Sequence, residues 1–166
     1  RYLVQQHFDK LWAHRTNSLE KLEKAVKTFS GVELDLVFTN EKGRDYFDVH
    51  HPPAENTGLS LDRYLEAAAS HPKLKFWFDL KNLSPDNRQD ILARLKQLIE
   101  KHHIKERFIL ESKKYENLDI FTESGIYTSY YLPGIKPGDM SEEEKKDQAE
   151  ALLKNINSAD IRAISF

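Results

Sequence analysis

The sequence predicts an α/β domain in which parallel strands are joined by helices. Two observations predict it. Apolar positions alternate between a period of two and a period near 3.6, so extended and helical segments take turns along the chain. Strands separated by helices pair in parallel through right-handed crossovers. Two architectures satisfy this pattern, an open doubly wound sheet and a (β/α)8 barrel. A barrel normally needs about 250 residues, and this chain of 166 supplies about six strand–helix units. A barrel reading therefore requires that roughly the last two units lie outside it.

The elements follow in order. Leu11 to Arg15 is a short apolar run and reads as a strand; Asn17-Ser18 then caps a helix with Leu19, Leu22, Val26 and Phe29 on one face. Gly31 to Phe38 is rich in β-formers. Asn40 to Gly43 is a turn, and Tyr46 to His50 a second extended segment. After a loop from Pro52 to Ser60, Leu61, Tyr64, Leu65 and Ala68 mark a helix that closes near Pro72. Lys73 to Lys81 is the next strand. Ser84-Pro85 predicts a helix start, followed by an apolar stripe of Ile91, Leu95, Leu98 and Ile99. Arg107 to Ser112 is a strand, Tyr115 to Ser124 a short helix, and Ile126 to Leu132 a strand; Pro133 to Asp139 is a loop. Ser141 with Glu144 forms a capping box for a helix that Leu152, Leu153 and Ile156 are expected to bury, and Ile161 to Phe166 is the last strand. The charged run Glu142 to Asp147 is expected to be a solvated helix face, and His102 and His103, late in a helix, surface residues.

Composition narrows the function classes. The 25 basic and 27 acidic residues exclude an overall basic nucleic-acid binder. With no cysteine there is no disulfide framework, thiolate zinc site or cysteine nucleophile. No apolar run approaches the roughly 20 residues of a membrane helix. Nine Phe, seven Tyr and two Trp argue for a packed core rather than disorder. The chain opens at Arg1 without Met, and an upstream segment is expected.

Strand parity carries the functional signal. Side chains at i and i+2 share a face. Val32, Leu34, Leu36 and Phe38 face the helices, so Glu33 and Asp35 point to the other side. Phe76, Phe78 and Leu80 do the same in their strand, leaving Trp77, Asp79 and Lys81 opposite; Phe47 and Val49 leave Asp48 and His50 opposite. A strand covered on both faces should be almost continuously apolar. Here each group of charges lies toward the C-terminal end of its strand, the ligand-binding end of α/β folds. Three carboxylates converging in a low dielectric repel one another, and a divalent cation relieves that cost. All-oxygen ligation suits Mg²⁺ or Ca²⁺. Histidines beside the ion, such as His14 and His50, supply acid and base near neutral pH. Lys81 and Arg15 can hold an anion, and a phosphate ester fits all of these parts. Each element alone is weak: a Glu-x-Asp or Asp-x-Lys pair is usually surface charge, and a single histidine is usually structural. Their agreement in parity and strand end makes the argument. Glu111 and Ser112 also end a strand and could reach the same space.

With those residues in hand, the chain resembles the glycerophosphodiester phosphodiesterase superfamily. The resemblance rests on Ala13-His14-Arg15, on Glu33-Leu34-Asp35-Leu36-Val37-Phe38-Thr39, on Asp48-Val49-His50-His51 and on Asp79-Leu80-Lys81, in that order over about the first half of the chain. It departs from the family at Thr16-Asn17, where a glycine and then an insertion are usual, and at Asp79, usually a glutamate. The short His-x-x-Asn opening and Phe78-Asp79-Leu80-Lys81 resemble the sphingomyelinase-D/phospholipase-D toxin branch, and His51-Pro52-Pro53 is similar to the menorin-like branch. The resemblance implies a (β/α)8 TIM barrel, here one partial domain over 1–166 lacking about the last two units. It implies a metal-dependent phosphodiesterase acting on a glycerophosphodiester or lysophospholipid head group. Glu33, Asp35 and Asp79 would hold one Mg²⁺ or Ca²⁺, His14 and His50 would act as acid and base, and Lys81, Arg15 and His51 would bind the phosphate. Parity favours His50 as the second catalytic histidine; the menorin-like pattern favours His51. A substrate hydroxyl can attack phosphorus in such enzymes, giving a cyclic phosphate before or instead of hydrolysis. A non-catalytic member of the fold that binds a ligand or partner is the alternative. An unfinished barrel leaves an open sheet edge, which a further C-terminal segment or self-association is expected to cover. A lipid-derived substrate and a periplasmic or secreted location complete the expectation.

Overall fold

The computed structural model describes residues 8–41, 43–134, 137–158 and 160–166. Lys42, in the expected turn, and residues 135–136, in the expected loop, lie outside the described residues. The strands are β1 (Trp12–Ala13), β2 (Gly31–Glu41), β3 (Arg44–Val49), β4 (Lys75–Leu80), β5 (Phe108–Ser112), β6 (Thr128–Tyr131) and β7 (Ala163–Ser165). The helices are α1 (Leu19–Ala25), α2 (Leu61–Ala67), α3 (Arg88–His102), α4 (Asp119–Glu123) and α5 (Glu142–Ser158). None of the described helices is long and apolar enough to cross a membrane.

The parallel strands pair in the order β1-β2-β4-β5-β6-β7. Each is laid down beside its predecessor, with no reversal of direction along the sheet. A doubly wound sheet must reverse at a switch point; a curling barrel wall need not. The fold is therefore the wall of a (β/α) barrel, and the open-sheet alternative falls away. Among the described residues β1 and β7 are not paired with each other. The chain departs from a simple barrel at β3, which folds back antiparallel on the far half of β2, from Leu36↔Val49 to Glu41↔Arg44. Gly43, with φ 74°, makes the tight reversal.

The parity reading holds. Val32, Leu34, Leu36, Phe76, Phe78, Phe108 and Leu110 are buried toward the helices, in one core with Leu22, Leu65, Ile91, Leu95, Leu98 and Phe121. Three helices start on the side chains the sequence offers. Ser18 Oγ accepts from Lys21 N, Ser60 Oγ from Arg63 N, and Ser141 and Glu144 form the reciprocal box, with Glu144 N donating to Ser141 Oγ and Ser141 N to Glu144 Oε2.

Three expectations are corrected. Ser84-Pro85 opens a turn rather than the helix. Asn87 Oδ1 accepts from Ser84 N and Asn87 Nδ2 donates to Asn82 O, so α3 begins only at Arg88. Leu152, Leu153 and Ile156 do not bury α5: the helix has no buried residue, and Leu153 is 58% exposed. The helical period is real, but in the described structure α5 packs chiefly on the Tyr115–Asn117 turn, so Leu152 and Ile156 are only half-buried. His102 is not a free surface residue either, because its Nε2 lies 2.6 Å from Asp62 Oδ1 on α2. The run Glu142 to Asp147 lies along the outside of α5, as expected.

Candidate metal and phosphate site

β2 and β4 are adjacent and in register, with Glu33 opposite Trp77 and Asp35 opposite Asp79. Alternation sends Glu33, Asp35 and Asp79 to the concave face. Their carboxylates supply oxygens that all lie within 4.8 Å of one another. Lys81, one residue beyond β4, reaches back between two of them: its Nζ is 2.6 Å from Asp35 Oδ1 and is also bonded to Asp79 Oδ2.

The loop after β1 closes the site. β1 ends at Ala13, so His14 and Arg15 lie just past its C-terminal end. Arg15 takes the left-handed conformation, φ 51°, unusual for a side-chain-bearing residue. That turn points its backbone N–H at Glu33 Oε2, 2.6 Å away, while Thr16 N donates to Glu33 O at 2.8 Å. His14 Nε2 is 3.6 Å from the same Glu33 oxygen on a side chain that is 75% exposed. Arg15 Nη2 is 3.2 Å from His51 Nε2. His50, by contrast, turns to Asp48, with Nδ1 to Oδ1 at 2.5 Å, and Asp48 Oδ1 also accepts from Thr57 N. Glu33, Asp35, Asp79, Lys81, His14 and Arg15 thus meet, with His51 on Arg15, whereas the contacts of His50 run to Asp48 and not to this cluster.

The acids differ electrostatically. Burial pushes the Glu33 carboxyl up to about 7, helped by the negative charges of Asp35 and Asp79. Burial would raise Asp35 too, but hydrogen bonds from Lys81 and Asn17 outweigh it, and its pKa is lowered. Lys81 is the mirror case: burial would lower it, yet its bonds to Asp35 and Asp79 hold it above the ordinary lysine value. The donor set fits a hard divalent cation, with three carboxylates on one face and one of them, Glu33, out of reach of the Lys81 bridge.

Two residues matter here to which the sequence assigned no role of their own. Asn17 reads as a helix cap, but the cap is Ser18. Asn17 instead grips Asp35 twice: Nδ2 donates to Asp35 Oδ2 at 2.6 Å and Asp35 N donates to Asn17 Oδ1 at 2.9 Å. Asp48 shares the parity of His50, which was a visible signal, yet its role as a buried partner of that ring needed the structure.

Comparison with known structures decides the fold family. A glycerophosphodiester phosphodiesterase from Parabacteroides distasonis superposes with a TM-score of 0.63 at 16% identity, covering 93% of this chain and 82% of that one. This chain has the fold of the glycerophosphodiester phosphodiesterases. The same fold is seen in the Oleispira antarctica phosphodiesterase solved with the product sn-glycerol-3-phosphate, with a TM-score of 0.60, 10% identity, and coverage of 97% and 94%. The glycerophosphodiester phosphodiesterase of Agrobacterium tumefaciens gives a TM-score of 0.53, 13% identity, and coverage of 93% and 94%. No protein-family model and no curated protein matches the chain.

Proposed function

We propose that this protein is a metal-dependent phosphodiesterase acting on a glycerophosphodiester or a lysophospholipid head group. One observation carries the reading: three carboxylates from neighbouring strands meet at the C-terminal mouth of the barrel wall, with a lysine and two histidines around them. The solved neighbours of the same fold are phosphodiesterases, one holding a glycerol phosphate, which supports the substrate class.

Glu33, Asp35 and Asp79 would hold one Mg²⁺ or Ca²⁺. When bound, such an ion supplies Lewis-acid polarisation of a phosphoryl oxygen. Lys81 and Arg15 place positive charge where the non-bridging oxygens gain negative charge, the term that usually contributes most to phosphoryl chemistry. One histidine takes the proton from the attacking hydroxyl, of water or of the substrate itself. The other gives a proton to the departing alkoxide, so the P–O bond breaks with release of a neutral alcohol. His14 is one of the pair. For the second we favour His51 over His50, because His51 Nε2 lies 3.2 Å from Arg15 Nη2 on the loop that also holds Glu33. His50 is engaged with Asp48.

The test is an assay of the purified chain against glycerophosphodiesters and lysophospholipids with Mg²⁺ or Ca²⁺. Turnover should vanish with chelator and fall about 10²–10⁴-fold in His14→Ala. Undiminished turnover in either case overturns the proposal.

A further inference from the structure

The concave face has a second end. Along β4 its residues run Lys75, Trp77, Asp79, and along β2 Gly31, Glu33, Asp35, so the acids sit at one mouth of the wall and Lys75 at the other. Four residues of strand separate Lys75 from Asp79, about 13 Å. Trp77 stands between them, and its ring meets Trp12 edge-on at 5.9 Å. Trp12 in turn lines a cavity of about 460 Å³ at the N-terminal ends of the strands. Trp12 and Lys75 flank Gly31 in register. A Cβ on Gly31 would lie 2.5 Å from Trp12 Cδ2, so glycine is what lets the indole lie across β2 there.

The lining is basic and aromatic. Lys75, Lys105, Arg107 and Arg162 face the cavity, with Glu106 the one acid among the described lining residues. Lys75 and Lys105 are exposed and, among the described residues, pair with no carboxylate. Arg107 donates to Leu74 O at 3.1 Å and His102 O at 3.3 Å and lies over the Phe76 ring at 5.7 Å. Those contacts fix the guanidinium but bring no full negative charge, and burial lowers its pKa. Arg162 is 3.5 Å from Asp160 and contributes less. Trp12 and Tyr127, the latter 51% exposed, supply flat apolar walls. Ligand cavities of about 300–1,000 Å³ combine apolar and aromatic walls with a few placed charges. Uncompensated cations around a concavity concentrate anions, and aromatic faces stack flat rings.

We propose that this cavity is a second binding site, for a small organic phosphate that carries a flat ring: Lys75 and Lys105 take the phosphate, and Trp12 and Tyr127 take the ring. It lies at the opposite end of the wall from Glu33, Asp35 and Asp79. It stands whether or not that other end turns over a phosphodiester.

The experiment is calorimetric titration of the full chain, in chelator, with AMP, ribose 5-phosphate and adenosine. AMP should bind at least about tenfold more tightly than either of the others, since each lacks one half of what the cavity recognises. Lys75→Glu should weaken AMP by about tenfold or more with an unchanged melting profile, because the side chain is exposed. Lys105→Glu, in the loop before β5, should act in the same direction and keeps the test open if the strand variant fails to fold. Tyr127→Ala should weaken AMP several-fold and leave ribose 5-phosphate unchanged. No AMP binding at millimolar concentration, or adenosine or ribose 5-phosphate binding as tightly as AMP, overturns the site. So does an AMP affinity indifferent to both lysine variants, or one lost in Arg15→Ala, which would place the nucleotide at the other mouth.

Discussion

Lys81 lies between Asp35 and Asp79, with Nζ 2.6 Å from Asp35 Oδ1, so two buried acids of the candidate metal site share one ammonium. Removing one partner of a buried charge group leaves the others uncompensated. Lys81→Met should therefore destabilise the metal-free chain by about 3–5 kcal/mol. Millimolar Mg²⁺ or Ca²⁺ should recover part of that loss. Thermal melts with and without the cation measure both, and a melting temperature indifferent to Lys81 and to cation would contradict this arrangement.

Glu33 sets the pH dependence. Its carboxyl rises from the ordinary 4.5 to about 7 on folding. An acid raised in the folded state binds more protons there than in the unfolded chain, so metal-free stability is full below about pH 4.5. It declines as pH rises through 7, by about 3 kcal/mol in all. A bound cation needs the ionised form, so affinity should climb with pH up to about 7 and level off above. Titration in two buffers of different ionisation enthalpy should show close to one proton released per ion near pH 6. Release of none would refute the assignment of Glu33 as a ligand.

Asn17 is the support behind the candidate ligand Asp35. Groups that orient a metal ligand typically contribute 10–100-fold to affinity. Asn17→Ala should weaken cation binding by that range. It should leave α1 intact, because Ser18 is the cap. Circular dichroism together with a metal titration separates the two effects.

The adjacent histidines should divide their roles. His51→Asn is expected to lower kcat about 10²-fold or more with little change in melting temperature. His50→Asn, which leaves the fully buried Asp48 without its ring partner, should lower the melting temperature by several degrees. The opposite pattern would restore His50 as the acid–base group.

One prediction lies away from the site. His103 closes α3 in the left-handed conformation, φ 53°, where glycine is the usual residue. His103→Gly should stabilise the chain by about 0.5–1 kcal/mol, read from denaturant unfolding.

Parity explains how much could be read without coordinates. Glu33, Asp35, Asp79 and Lys81 were visible because a strand's alternation is fixed by its backbone, and each pairs with an unambiguous apolar partner one residue away. Asn17 was opaque because Asn and Ser are both good caps, and only the three-dimensional path shows which one is spent on Asp35. The helix of Leu152, Leu153 and Ile156 failed in the other direction. Periodicity reports that a face is apolar, not that something is there to cover it. Ser84-Pro85 misled because asparagines at 82 and 87 offered the backbone a competing turn.

The double grip of the first loop on Glu33, through its side chain and its carbonyl, ties two events that would otherwise be independent. Whatever changes the charge on that one glutamate also tugs the peptide that carries His14 and Arg15. If Glu33 holds the ion as proposed, cation binding and the placement of His14 are coupled through this one side chain.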